Sequence, residues 1–326
     1  IFRALRTIPT MLGICRDMER YCPDAILLNY TNPMGMLSQA MQKSSFLKVV
    51  GLCHSVQNTV ATLSNYLHIP APEITYLCAG INHQAWFLKL KHKGKDAYPL
   101  LRDAVKKKKV YEHDLVRNEM FLHLGYYVSE SSRHNSEYNW WFRKRPDLIE
   151  KYCTHGTNRS PGRYGDLLYK YLDREKTWKR DIEKWLADEA VDLSRSREYA
   201  AEIINAYLGG EMMEFNGNVP NTGIIPNLPE GACVEVPIVI KKGGFAPLHV
   251  GALPPQLAAL NNINIAVENM AVAAALTGNE DMVFHAIAYD PLTASVLSLR
   301  ETRRMVNEMF RKNQKYLPQF KKIESL

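Results

Sequence analysis

The sequence predicts an α/β protein, and three observations lead to this prediction. Between residues 25 and 68, two short apolar runs alternate with two segments of helical spacing. This alternation is typical of parallel strands joined by crossover helices. Residues 74–95 then hold two strand-like runs around a Gly-Ile-Asn-His turn, which predicts an antiparallel pair. Most of the remaining chain has the apolar spacing of amphipathic helices.

The elements of the first part follow from their apolar spacing. Leu5, Ile8, Leu12 and Cys15 fall on one face of a helix that opens the chain. The run AILLNY ends at Thr-Asn-Pro, a turn signal, and a later helix ends before Pro70. The predicted strand, helix, strand and helix cover residues 25–30, 34–43, 48–55 and 57–68.

The later elements are mostly helical. Two strand-like runs, at residues 212–218 and 232–241, bracket NVPNTGIIPNLPEGA, which has the composition of a loop. The predicted helices cover residues 98–109, 113–124, 164–189, 195–209, 254–277, 279–289 and 299–314.

Composition narrows the classes of protein. Of the 326 residues, 46% are apolar and 23% are charged, which is ordinary for a globular protein. No apolar stretch is long enough to span a bilayer, so we predict no membrane association. Six cysteines without a repeating spacing indicate reduced thiols in the cytoplasm and no disulfide framework.

The net charge of +7 raises the question of nucleic acid. The densest basic run, Lys106–Lys109, is followed at once by acidic residues, as on a solvated helix face. Nucleic-acid modules add a recognisable fold and aromatic platforms to their charge. The sequence has neither, so we expect a small-molecule ligand and no nucleic acid.

Chemistry-bearing residues gather where predicted strands end. Cys53 and His54 close the second strand, His83 lies in the turn of the antiparallel pair, and Asn29 and Asn32 flank the end of the first strand. In open α/β sheets, ligands bind outside the carboxyl ends of the strands. Each feature alone is more often structural, but together they predict a site at one sheet edge.

The runs LLNYTNPM, GLCHSVQ, GINHQAW, GYYVSESS and NLPEGACVEVP resemble the NAD- and Mn-dependent family 4 glycosidases. The resemblance covers essentially the whole chain and is greatest for the α-galactosidase (melibiase) branch. It implies the last strands of a Rossmann-like dinucleotide-binding sheet, related to lactate and malate dehydrogenases, over residues 1–78. A mostly helical α+β domain for substrate, metal and oligomerisation would follow over residues 79–326.

The resemblance also implies an activity, the hydrolysis of melibiose-type α-galactosides by redox and elimination, outside the usual carboxylate pair of glycosidases. NAD⁺ oxidises the sugar C3 hydroxyl, a base removes the C2 proton, and the aglycone leaves; water then adds and the hydride returns. An α-glucosidase or α-galacturonidase of the same family is an alternative. A lactate/malate-type dehydrogenase and an inactive binding remnant are alternatives of other classes.

The resemblance also implies roles for individual residues at the positions that match the family. The resemblance implies Mn²⁺ ligands at Cys53 and His83, substrate binding by Asn32, and a place for Asn29 near the nicotinamide ribose. It implies that His54 is the acid for the leaving group and that the sugar is unphosphorylated. Imidazole suits this role because it titrates near neutral pH.

The C2 base is the open assignment, because the family uses a Tyr or Asp where this chain has GYYVSE. We assign Glu130 to the role, and Tyr127, His134 and Tyr138 remain alternatives.

The family's Gly-rich phosphate loop has no counterpart in the sequence. We therefore expect about a hundred further residues before Ile1, by analogy with the first half of dinucleotide-binding folds. On this expectation the chain alone would be inactive and poorly soluble, and the whole protein a homodimer or homotetramer.

Overall fold

The computed structural model describes residues 1–153, 166–188, 194 and 198–320, and these form one mixed sheet covered by helices. The strands are β1 Ile26–Asn29, β2 Lys48–Gly51, β3 Ile74–Ile81, β4 Gln84–His92, β5 Lys95–Asp96, β6 Met213–Pro220, β7 Cys233–Lys241 and β8 Gly244–Pro247. The α/β class predicted from the sequence is confirmed.

Helices make up most of the remaining described chain. In chain order they are α1 Phe2–Tyr21, α2 Met34–Ser44, α3 Ser55–Leu67, α4 Tyr98–Val105, α5 Lys108–His113, α6 Leu115–Leu124, α7 Ser132–Tyr138, α8 Pro146–Cys153, α9 Asp166–Ala187, α10 Ala200–Leu208, α11 Pro255–Thr277, α12 Glu280–Ala288, α13 Pro291–Val296 and α14 Leu299–Asn313. Among the described residues, no helix combines the length and the apolar character that crossing a membrane requires.

The strands follow the order β1-β2-β6-β7-β3-β4-β5, and β8 pairs with β7. Among the strands of the described residues, β1 and β2 form the single parallel pair, in register from Ile26↔Lys48 to Asn29↔Gly51; the other pairs are antiparallel. Strands β6 and β7, distant in sequence, thus lie between β2 and β3. The sequence did not predict this insertion. The predicted domain boundary at residues 78–79 falls inside β3 and stays a prediction.

Two predicted helices differ in extent from those observed. The segment predicted as one helix over residues 98–109 is two, α4 and α5, with a break after Val105. The helix predicted over residues 195–209 is α10, from Ala200 to Leu208; residues 195–197 lie outside the described residues.

A buried cluster holds the first helices against α11. Ile8 of α1, Leu37 of α2 and Val272 of α11 are all fully buried within it. Burying an aliphatic side chain of this size contributes about 1.5–3 kcal/mol. The cluster therefore fixes α2, whose first residue follows the turn after β1, at the carboxyl ends of β1 and β2.

Gly51, the last residue of β2, is required by close packing. A Cβ there would overlap Met34 Sδ and would lie 2.6 Å from Ser38 Oγ, inside van der Waals contact. The strand consequently reaches α2 without a side chain at its end, and Cys53 follows two residues later.

Candidate active site

Three chain segments bring a thiol, an imidazole and a carboxylate together. Cys53 follows β2, His83 lies in the β3–β4 turn, and Glu130 precedes α7. Their potential ligand atoms all lie within 4.8 Å of one another. The sequence had singled out each of these residues, two as metal ligands and one as a base.

Cys53 is held from two sides. Tyr199 donates a hydrogen bond from its hydroxyl to the Cys53 carbonyl oxygen at 3.0 Å. Burial raises the pKa of the Cys53 thiol, although hydrogen bonding from Ser55 acts in the opposite direction. Because a thiol must lose its proton to ligate a metal, ligation at Cys53 releases a proton and is favoured at higher pH.

His83 occupies a two-residue turn between Ile81 and Gln84, with φ = 65°. Such positive φ values suit tight hairpin turns but are uncommon for residues other than Gly. The His83 Nδ1 atom lies 3.0 Å from the Tyr138 hydroxyl, and Nε2 lies 3.8 Å from Glu130 Oε2. Metal-bound histidines use one nitrogen for the metal and the other for a hydrogen bond, so Nε2 is the nitrogen available for an ion.

Glu130 also has a positive φ, 69°. Its Oε1 atom lies 3.3 Å from His134 Nδ1. Burial acts to raise the pKa of Glu130, but His83 and then His134 outweigh it, and the pKa lies below its ordinary value. The group is therefore a carboxylate at neutral pH, able to accept a proton or to ligate a metal.

The other candidates for the base have different surroundings. Tyr127 is fully buried, and its hydroxyl donates to Asn118 Oδ1 at 3.2 Å, within the core. Burial raises the pKa of Tyr127 and of Tyr138 well above the ordinary value, which keeps both protonated. Burial lowers the pKa of His134. Glu130 alone of the four combines an ionised form with contact to His83.

His54 lies on the solvent side of Cys53. Its Nε2 atom is 2.9 Å from Glu198 Oε2, and its side chain is 40% exposed. The imidazole stacks on Tyr30, with ring centroids 5.2 Å apart, and meets the edge of Tyr199. The Glu198 carboxylate and the two aromatic rings together fix the orientation of the imidazole.

The two asparagines differ in accessibility. Asn29 is buried, and its side chain accepts from Thr31 N at 2.9 Å and donates to Ser38 Oγ at 3.1 Å. Asn32 is exposed, and its Oδ1 accepts from Met34 N at 3.3 Å. Asn32 is thus open to a ligand, whereas the polar atoms of Asn29 are engaged inside the chain. Both roles stay predictions.

Besides Glu198, two further carboxyl groups near the site were not predicted from the sequence. Glu235 of β7 is 0% exposed, and burial, together with Cys53, raises its pKa to about 8. Glu268 of α11 faces Gly35, where a Cβ would lie 3.1 Å from Glu268 Oε1, and burial raises its pKa to about 7. A single acidic residue within the apolar run CVEVPIVI was the available signal for Glu235.

The donor set fits a divalent transition metal. Thiolate, imidazole and carboxylate groups ligate such ions with bonds of roughly 2.0–2.3 Å, which place two ligand atoms at most about 4.6 Å apart. The three ligand atoms lie within 4.8 Å of one another, so small side-chain shifts would let them share one ion. The adjacent carboxyl ends of the parallel strands β1 and β2 are where a dinucleotide binds in an open α/β sheet. The exposed Asn32 follows the first of them.

Comparisons with known proteins define the class. Residues 1–69 match the family 4 glycosyl hydrolases, and residues 78–293 match the family 4 glycosyl hydrolase C-terminal domain. The chain is 41% identical over 324 residues to an alpha-galactosidase of Bacillus subtilis, covering 98% of this chain and 73% of that protein. An alpha-galactosidase of Rhizobium meliloti is 33% identical, with 97% and 65% covered.

A solved structure agrees in fold. The 6-phospho-alpha-glucosidase from gut microorganisms, in complex with NAD and Mn²⁺, has a TM-score of 0.79 at 19% identity, with 98% of this chain and 73% of that chain covered. The matches to both glycosyl hydrolase domains and the likeness to two alpha-galactosidases identify the chain as an enzyme of the glycosidase class. This chain belongs to the family 4 glycosyl hydrolases.

Proposed function

We propose that the protein hydrolyses α-galactosides by an NAD- and Mn²⁺-dependent redox-elimination mechanism. The observation that carries this proposal is the convergence of Cys53, His83 and Glu130 within 4.8 Å. The likeness to an alpha-galactosidase at 41% identity supports the choice of sugar.

Cys53 Sγ and His83 Nε2 are the atoms that would hold the metal, and Asn32 would bind sugar hydroxyls beside it. When bound, NAD⁺ takes up and returns a hydride, and Mn²⁺ acts as a Lewis acid on sugar oxygens. The Tyr138 hydroxyl at His83 Nδ1 fixes the orientation of the imidazole ring.

Glu130 takes the C2 proton in this proposal. His83 and His134 hold its carboxylate ionised against the effect of burial, so the group is able to accept a proton. His134 Nδ1, 3.3 Å from Oε1, then stabilises or relays that proton.

His54 protonates the departing glycosidic oxygen. Its partner Glu198, at 2.9 Å, orients the imidazole for this step, and the 40% exposure of the His54 side chain leaves room for an aglycone.

Charge favours a neutral sugar over an anionic one. The carboxylates of Glu130 and Glu198 lie at the site, beside His83 and His54. A galacturonide carboxylate or a sugar phosphate would be repelled by these groups. We therefore place the α-galactoside ahead of the α-galacturonide.

The assembly we propose is a homodimer or homotetramer. Six large apolar residues are exposed among the described side chains of helix α9. Four of them follow helical spacing and are called the α9 stripe: Trp178, Ile182, Trp185 and Leu186. An exposed apolar stripe of this kind is typical of a contact surface. We propose the cytoplasm as the location, because all six cysteines are free thiols.

The test uses the complete gene product, p-nitrophenyl α-galactoside, NAD⁺, Mn²⁺ and a thiol reductant, with each component withheld in turn. We expect cleavage that needs all three additions and yields no net NADH, and we expect the matched Cys53→Ser variant to lose it. Cleavage of only the glucoside or galacturonide would change the substrate. Steady NADH formation without cleavage would replace the glycosidase with a dehydrogenase.

A further inference from the structure

Glu235 lies in a row of paired residues that crosses four strands of the sheet. Gly51 of β2 pairs with Asn218 of β6, Asn218 pairs with Glu235 of β7, and Glu235 pairs with Gly80 of β3. Cys53 follows one end of this row by two residues, and Asn82-His83 follows the other end. The row therefore sets the separation of the two segments that carry the candidate metal ligands.

The side chains of this row bind the backbone segment around Cys53 on both sides. Asn218 donates from Nδ2 to the Gly51 carbonyl oxygen at 3.3 Å, before Cys53. Glu235 accepts at Oε1 from the Ser55 hydroxyl at 3.4 Å, after Cys53. Asn218 and Glu235 are both 0% exposed, so no solvent competes for these bonds.

Three buried polar atoms beside this segment have no hydrogen-bond partner within the described ranges. They are Glu235 Oε2, Asn218 Oδ1 and Asn82 Nδ2. Unsatisfied buried groups are uncommon in native proteins and are usually completed by a bound water or ligand. Because these atoms lie between Cys53 and His83, we infer that their missing hydrogen bonds are made when the metal site is occupied.

We propose that Glu235 is a positioning residue for the metal centre. Through Ser55 it fixes the segment that carries Cys53, and with Asn218 it sets the distance from the Cys53 sulfur to the His83 imidazole. Glu235 does not itself ligate the ion. The inference rests on the proposed function in one respect, the assignment of Cys53 and His83 as metal ligands.

The test measures Mn²⁺ affinity by electron paramagnetic resonance of free Mn²⁺, on the complete gene product without substrate. Glu235→Ala removes the acceptor for Ser55, and we expect a loss of about 10–100-fold, as for other residues that orient metal ligands. Glu235→Gln keeps the oxygen that Ser55 needs, so its affinity should stay within about threefold of wild type. Ser55→Ala deletes the other partner of this bond together with the hydrogen bond from Ser55 to Cys53, so it should lose at least as much affinity as Glu235→Ala. Retained affinity in Ser55→Ala would overturn the inference even if Glu235→Ala fails to fold.

Asn216→Ala is the matched control. Asn216 lies in the same sheet, is buried, and donates to the Cys78 carbonyl oxygen at 2.8 Å, away from this row. It should lose stability and keep its Mn²⁺ affinity. Wild-type Mn²⁺ affinity in folded Glu235→Ala and Ser55→Ala would overturn the positioning role of Glu235 and leave the proposed function standing. A loss of Mn²⁺ affinity in Asn216→Ala as large as that in Glu235→Ala would do the same. A wild-type protein that binds no Mn²⁺ would overturn the proposed metal centre as well.

Discussion

Glu130 and His83 are two of the four residues other than Gly that have positive φ in the described part of the chain. Such a conformation costs about 1–3 kcal/mol and persists only where the surroundings enforce it. In both residues it directs a polar side chain into the same cluster. The backbone strain thus coincides with the site, which supports a functional role for both.

The two roles open to Glu130 can be separated by one substitution. Glu130→Gln keeps the size of the side chain but removes its basicity, so we expect turnover to fall by about 10²–10⁴-fold. Mn²⁺ affinity, measured without substrate, should change little if the carboxylate is the base. His134→Asn is the matched control and should lose less activity. A Mn²⁺ affinity at least tenfold weaker in Glu130→Gln would instead make Glu130 a third metal ligand.

His54 is best tested by comparing leaving groups. In His54→Asn we expect melibiose hydrolysis to fall by about 10²-fold or more, since the poor leaving group needs a proton. Hydrolysis of p-nitrophenyl α-galactoside should fall far less, because nitrophenolate departs without one. Glu198→Gln should show the same contrast in weaker form. Equal losses on both substrates would remove His54 from the acid role.

At the scale of elements, a buried ion pair connects three helices around the site. Asp114, at the start of α6, binds Arg117 Nε at 2.8 Å and also accepts from the Ser132 hydroxyl of α7. Arg117 donates from Nη1 to Thr59 Oγ1 of α3 at 2.8 Å. The pair holds α7, with His134 and Tyr138, against the helix that follows Cys53.

Removing one partner of this pair should be costly. Asp114→Ala leaves the Arg117 charge buried and uncompensated, and we expect a loss of about 3–5 kcal/mol in the free energy of unfolding, measured with urea. The exposed pair of Asp103 and Lys106, 2.7 Å apart, provides the control. Asp103→Ala should change the free energy of unfolding by less than about 1 kcal/mol. A loss below about 1 kcal/mol in Asp114→Ala would contradict the proposed connection.

Apolar periodicity predicted some elements and could not predict others. It located β1, β2 and α11 because apolar residues occupy most of their buried and half-buried positions. It missed α7, whose buried residues Ser132, Asn135 and Ser136 are polar and each make hydrogen bonds.

The residues of the candidate site likewise divide into those that the sequence predicted and those that it did not. Cys53 and His83 were predicted because strand ends and turns are visible in a sequence, and their meeting is seen in the structure. Glu198 and Glu235 were not predicted, since their approach depends on a strand order that a sequence read locally does not contain. Their roles depend on pairing over long sequence distances.

At the scale of the whole molecule, the α9 stripe predicts association. Trp178→Ser with Trp185→Ser removes two large apolar side chains, 48% and 71% exposed, from the proposed contact. We expect the molar mass measured by light scattering to fall to that of a smaller species, since aromatic residues dominate contact energies. Tyr289→Ser, also at a side chain 66% exposed, is the control and should not change the mass. An unchanged mass in the double variant would exclude this stripe as the interface.

The position of β6 and β7 in the sheet has a consequence for biosynthesis. Cys53 and His83 are close in sequence, yet β2 and β3 are connected in the sheet only through strands that end at Lys241. Synthesis runs from the N-terminus, and contacts between distant segments form slowly. A nascent chain that has emerged only as far as α10 holds both ligands without the strands that set their spacing. Binding of the ion should therefore occur only after the C-terminal half has left the ribosome, late in the maturation of the protein.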